Sequence, residues 1–194
     1  MSVSKIPVVA LSAAFLVACG GGQRATQMSA QDVFWNRLQE LCGQAFPGTI
    51  VYGSPSDTAF TGKRLVMHVR ECGDDEIRIP FHVGEDRSRT WILMRTGSGL
   101  RLMHDHRHED GSEDDINGYG GHTVGAGDAE WQEFPADEYT ASLIPAAATN
   151  VWTIEIVPGE HFAYMLRRIG TDRRFRVEFD LTAPVPPPPP PWGY

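Results

Sequence analysis

The residues most suited to chemistry are clustered at His104-Asp105-His106-Arg107-His108. On an extended strand, side chains at i and i+2 share one face, with Cα atoms about 6.8 Å apart. Two imidazoles at that spacing can converge on one divalent metal at about 2.0–2.1 Å, whereas three along a flat strand span too far to bind together. A metal reading of His104, His106 and His108 therefore needs a ligand from elsewhere, with His82, His122, His161 and Glu109 as the candidates. Parity adds a constraint. Leu100, Leu102, His104 and His106 fall on one face, and Arg101, Met103, Asp105 and Arg107 on the other. The histidines thus extend an apolar face and are expected at one end of a hydrophobic interior. The alternative is a polar strand end held by neighbouring acids.

Other templates are missing. Ser98 sits in TGSGL rather than GxSxG, and the chain has no HExxH, phosphate-binding loop or GxGxxG. The acid run Glu109 to Asp115 fails the calcium-loop pattern: counted from Asp110, Asp115 stands where glycine is required and Gly121 where the bidentate Glu belongs. No catalytic residue is assigned, and the balance favours a protein that is not an enzyme.

The elements that must position the histidines are strands. Glu76 to Val83 alternates Ile77, Ile79, Phe81 and Val83 against Arg78, Pro80 and His82. Pro80 cannot donate to a ladder, so this strand is an edge or is bulged there. Thr90 to Thr96 follows, then the tight reversal Gly97-Ser98-Gly99, then Leu100 to His106. Upstream, Thr49 to Gly53 and Lys63 to Cys72 read as strands. Downstream, Glu130 to Phe134, Asn150 to Val157, His161 to Arg168 and Phe175 to Leu181 do so too. Ala136 to Leu143 suggests one or two helical turns. Residues 109–129, rich in glycine and acids, read as a long surface loop, with Gly118, Gly120 and Gly121 supplying flexibility.

Ahead of the strands, Ser29 and Asp32 resemble a capping box, and Val33, Phe34, Leu38 and Leu41 recur at helical spacing. The expectation is mainly β: an antiparallel meander of eight or nine strands, closed into an up-and-down barrel, with one N-terminal helix. Closure removes exposed edges. Two packed sheets are the alternative. The body spans residues 29–183. A proline-rich tail, 184–194, is expected to be disordered, with a spacer or a ligand for an aromatic groove as the functional alternatives.

Composition bounds location and partners. Lys5 precedes an apolar run, Ile6 to Val17, that ends in Leu16-Val17-Ala18-Cys19. This resembles a bacterial lipoprotein signal, residues 1–18, cleaved before a lipidated Cys19. Residues 19–28 are then expected to form a flexible tether, and the resemblance to Gram-negative lipoproteins implies, from Gly20 standing where Asp is absent, outer-membrane sorting facing the periplasm. Without the signal, 16 basic residues stand against 25 acidic ones. Such an acidic body argues against nucleic acid as a partner. Cys42 and Cys72, exported together and outside any CxxC spacing, are expected to form one disulfide.

RIPFHVGEDRSRTW, GLRLMHDHRHEDGSED and FRVEFDL make the chain similar to a group of uncharacterised bacterial secreted proteins and lipoproteins, from about Phe34 to Leu181. That resemblance implies no activity and no catalytic residues. A looser likeness to calycin or lipocalin barrels rests on the meander alone. The leading expectation is a lipid-anchored envelope barrel holding a small ligand, with Trp91, Trp152, Phe81 and Phe179 as lining or packing. A metal binder or metal-dependent enzyme using the histidines is the second, and a structural or interaction protein of the envelope the third.

Overall fold

The computed structural model describes residues 1–2, 28–55 and 57–194. All but the first two residues of the signal, together with Cys19 and all but the last residue of the tether, lie outside the described residues. The rest begins with one helix, α1 (Ala30–Glu40), followed by β1 (Ala45–Tyr52), β2 (Leu65–His68), β3 (Glu71–Cys72), β4 (Glu76–Val83), β5 (Asp86–Thr96) and β6 (Gly99–His106). Then come β7 (Gly120–His122), β8 (Trp131–Pro135), a short helix α2 (Glu138–Leu143), β9 (Asn150–Val157), β10 (His161–Arg168) and β11 (Arg174–Asp180).

Every pairing is antiparallel, and the strand order is β7-β6-β5-β4-β2-β1-β11-β10-β9-β8, with β3 beside β4. The chain therefore meanders round a nearly closed barrel, and β1 against β11 joins its two halves. The remaining seam, between β7 and β8, is held by a bridge from Gly121 to Ala136 and by Asp137 N–H donating to the Gly120 carbonyl at 3.0 Å.

Alternation becomes inward-facing rows. Ile77, Leu93 and Leu102 align across β4, β5 and β6; Ile79, Trp91 and His104 form the next row; Phe81, Arg89 and His106 form the last. Facing them are Phe162, Tyr164, Val177 and Phe179 from β10 and β11, all buried. The Pro80 expectation resolves to a break in the neighbour rather than an edge. Met67 pairs with Phe81 and Glu71 with Arg78, a one-residue slip that separates β2 from β3 opposite the imino acid. The expected single strand from Lys63 to Cys72 is split there, because Pro80 has no N–H to offer it.

Helix α1 plugs one end. Its capping box is present, with Ser29 accepting from the Asp32 N–H, and Phe34, Trp35 and Leu38 are buried. Asp32 pairs with Arg95 at 2.7 Å, Gln31 donates to Thr123 and to the Gly125 carbonyl, and Arg37 donates to the Ala129 carbonyl. All these partners lie at the β5–β6 turn or in the β7–β8 connection. The Cys42–Cys72 disulfide forms as expected and ties the exit of α1 to β3. Closing 30 residues of chain, it contributes on the order of 3 kcal/mol.

Two expectations are corrected. Residues 109–129 are not loop throughout, since Gly120–His122 is a strand of the barrel wall. A Cβ on Gly120 would clash with the Leu102 carbonyl oxygen, and one on Gly121 with that of Pro135. These glycines serve close backbone approach, not flexibility. Nor does the tail trail free. The Val185 N–H bonds to the Ala45 carbonyl at 2.8 Å, and the chain then straps the outer wall. The Trp192 N–H donates to the Arg87 carbonyl, and the Tyr194 hydroxyl donates to Asp105 Oδ2 at 2.7 Å. Arg78 and Arg107 lie over the Tyr194 ring. Hydrogen bonds to carbonyl groups and cation–π contacts hold the strap without any β pattern in its sequence.

Candidate ligand site at the open end of the barrel

The end opposite α1 contains a pocket of about 110 Å³. Its walls are aromatic. Phe81 stacks on Trp91 with centroids 4.9 Å apart, Trp91 on Tyr164 at 4.5 Å, and Phe60 packs on Phe175 at 5.1 Å. Phe60 comes from the short 3-10 turn Thr58–Phe60 between β1 and β2, which folds over the opening. Arg89 stands at the rim, bonded to Asp86 at 2.5 Å, with its guanidinium 5.9 Å from the Phe60 ring centre.

His104 forms the polar floor and is 3 % exposed. Its Nδ1 lies 3.1 Å from the Tyr119 carbonyl oxygen and its Nε2 2.7 Å from the Tyr164 hydroxyl. A carbonyl only accepts, so Nδ1 carries the hydrogen, and Nε2 accepts from Tyr164. The ring also stacks on Tyr119 at 4.5 Å, with planes 8° apart. Burial lowers its pKa to about 3, against the opposing effect of the carbonyl bond, so His104 is neutral at ordinary pH. The same desolvation raises Tyr119 to about 12 and Tyr164 well above the usual phenol value. His106 lies one step nearer the mouth. Its Nε2 is 3.1 Å from the Tyr119 hydroxyl, and burial, followed by the nearby Arg89 charge, lowers its pKa.

The structure thus places His104 and His106 on the inner face shared with Leu100 and Leu102, and leaves His108 exposed outside. The other metal candidates are scattered. His82 lies under the strap, His122 and Glu109 are exposed, and His161 is bonded to Glu155 at 2.8 Å on the outer wall. Among the described residues, no group of three or more His, Cys, Asp or Glu side chains is placed to hold a metal ion. Both His104 nitrogens are already used, so the donor set does not fit a metal centre. The acidic loop after His106 instead holds itself, with Ser112 donating to Asp110 and the Ile116 N–H to Asp114.

Of the four aromatics expected as lining or packing, Trp91 and Phe81 line the pocket, while Trp152 and Phe179 pack in the core. It missed Arg89, Tyr119, Tyr164, Phe60 and Phe175. Arg89 and Tyr164 carried a signal, since they share the parity of Trp91 and Phe162. Tyr119 sits among glycines and carried none.

A larger groove of about 280 Å³, lined by Tyr52 and Trp131 among others, lies on the outer wall. Its carboxylates are committed, Glu133 to Arg167 and Glu155 to Arg176 and His161. The smaller mouth pocket is the better candidate because it combines aromatic walls with a fixed polar floor. Two phenol–imidazole hydrogen bonds face it, Tyr164 with His104 and Tyr119 with His106; burial keeps His104 neutral and both phenols protonated near neutral pH, an arrangement suited to orienting a bound group. Comparison with family models, curated proteins and solved structures finds no match.

Proposed function

We propose that this protein is a lipid-anchored cell-envelope barrel that holds a small flat ligand in the mouth pocket without transforming it. The observation that supports this reading is the stack Phe81–Trp91–Tyr164 above the His104–Tyr164 hydrogen bond, with Arg89 at the entrance. At about 110 Å³ the pocket is somewhat smaller than the ~150 Å³ engineered cavity that accepts benzene, which limits the ligand to one ring or less within it. Arg89 favours an acidic or electron-rich substituent directed outward.

Trp91 is a built-in reporter. Phenol and benzoate titrated into the protein are expected to change tryptophan emission saturably, and a Trp91→Phe variant, which keeps the aromatic wall, is expected to lose that response. A wild-type emission that stays unchanged with both probes, while crystals soaked in them show an unoccupied mouth, would overturn the binding role. The resemblance to bacterial lipoproteins, and the outer-membrane address it implies, belong to this proposal and rest on the residues around Cys19.

A further inference from the structure

A second cleft, of about 380 Å³, lies on the outer wall between the strap and the strands β2 and β4. Pro186 to Pro189 form one side of it, Val66 and His82 the floor, and Arg64 and Arg87 the cationic edge. Although on an outward-facing position, His82 is only 4 % exposed. Its Nε2 is fully buried and has no hydrogen-bond partner among the protein atoms. An unsatisfied buried donor or acceptor costs about 1–3 kcal/mol, so such a group calls for a reason.

The charges around it supply one. Arg87 spends one guanidinium nitrogen on the Pro190 carbonyl, 3.0 Å away, and this fixes the orientation of the rest of its fork. Arg64 makes no ion pair among the described residues. Glu85 is the carboxylate in this wall, set against two guanidinium groups, in a protein whose formal charge is −8. Prolines carry no N–H, so the strap side offers only rings and carbonyls, and any donor to an anion must come from the barrel. A proline run is also stiff, which holds the cleft open at no further ordering cost.

We propose that this cleft binds a phosphate group, with Arg64 and Arg87 pairing its oxygens and the His82 Nε2–H donating to a third. Two planar forks and one ring nitrogen, approaching from different directions, suit a tetrahedral oxyanion better than a flat carboxylate. The bound group would join the strap to the wall through Arg87, which already touches both. The site is independent of the mouth pocket.

Inorganic phosphate titrated into the intact protein, with histidine ring resonances followed by NMR, tests the assignment. A saturable shift of the His82 ring is expected. Arg64→Ala and Arg87→Ala should each weaken binding roughly tenfold or more, the loss of one charge-assisted hydrogen bond. Arg167→Ala, on the far wall, should leave it unchanged. Because both critical arginines are at least partly solvent-exposed, their removal spares the core, and circular dichroism checks that the fold persists. A second arm uses vesicles containing phosphatidylglycerol. If vesicles shift the His82 ring and free phosphate does not, the phosphate is that of a lipid headgroup and the site stands. If neither moves the ring, or if the arginine variants bind as the wild type does, the assignment falls.

Discussion

At the level of single side chains, His104 and Tyr164 decide the character of the mouth, because each completes the other's hydrogen bonding inside an aromatic shell. Their cost emerges in acid. The folded pKa of His104, about 3, lies below the ordinary imidazole value of 6.5, and that of His82, about 4, does as well. As pH falls, the unfolded chain takes up these protons first. Stability is therefore fully present above about 6.5 and is lost progressively down to the folded values. Chemical denaturation at about pH 7 and about pH 4.5 is expected to show a loss of up to a few kcal/mol. A His104→Gln variant, less stable at neutral pH, is expected to have a shallower slope across this window. A wild-type stability that is flat there would show that the two rings are not buried as neutral bases.

At the level of elements, the least obvious strand matters most for closure. β7 is three residues long and has no hydrophobic alternation, yet it is the only strand-length segment between β6 and the β8 seam. Thr140 of α2 secures it, its hydroxyl accepting from the Gly120 N–H and donating to the Gly120 carbonyl. Gly121→Ala would push a methyl group into the Pro135 carbonyl. A loss of about 1–3 kcal/mol in unfolding free energy is expected, with faster amide exchange at Gly121 and Ala136. An unchanged exchange rate would mean that the seam is not held there. This strand also marks where sequence reasoning stops. The alternation of β4 and of β6 is legible because a period of two is local, and so is the inward direction of His104, whereas the row Ile79–Trp91–His104 needs the register between strands. The packing of Tyr119 against His104, the reach of Phe60 across the mouth and the docking of the strap depend on contacts between distant segments, for which periodicity carries no information. Glycines chosen for close approach look the same in a sequence as glycines chosen for freedom.

At the level of the whole molecule, two ends and one wall divide the work. α1 seals one end, the aromatic pocket opens at the other, and the strap covers part of the outside. The lipid anchor is a separate question with a direct assay. Labelled palmitate is expected to enter the wild-type protein in a bacterial host and not a Cys19→Ser variant, which should then fractionate away from membranes. Equal labelling of both would remove the anchor from the proposal while leaving the barrel and its pocket untouched.

The position of α1 has a consequence for orientation. Ser29 caps a helix whose first turn is fastened to Arg95, Thr123 and Gly125, so any chain preceding it departs from the sealed end. The mouth lies at the other end of the strands, on the order of 20 Å from that point of departure. If the proposed anchor precedes α1, the mouth is the part of the barrel farthest from its mooring, and a solute reaches it without passing the tether.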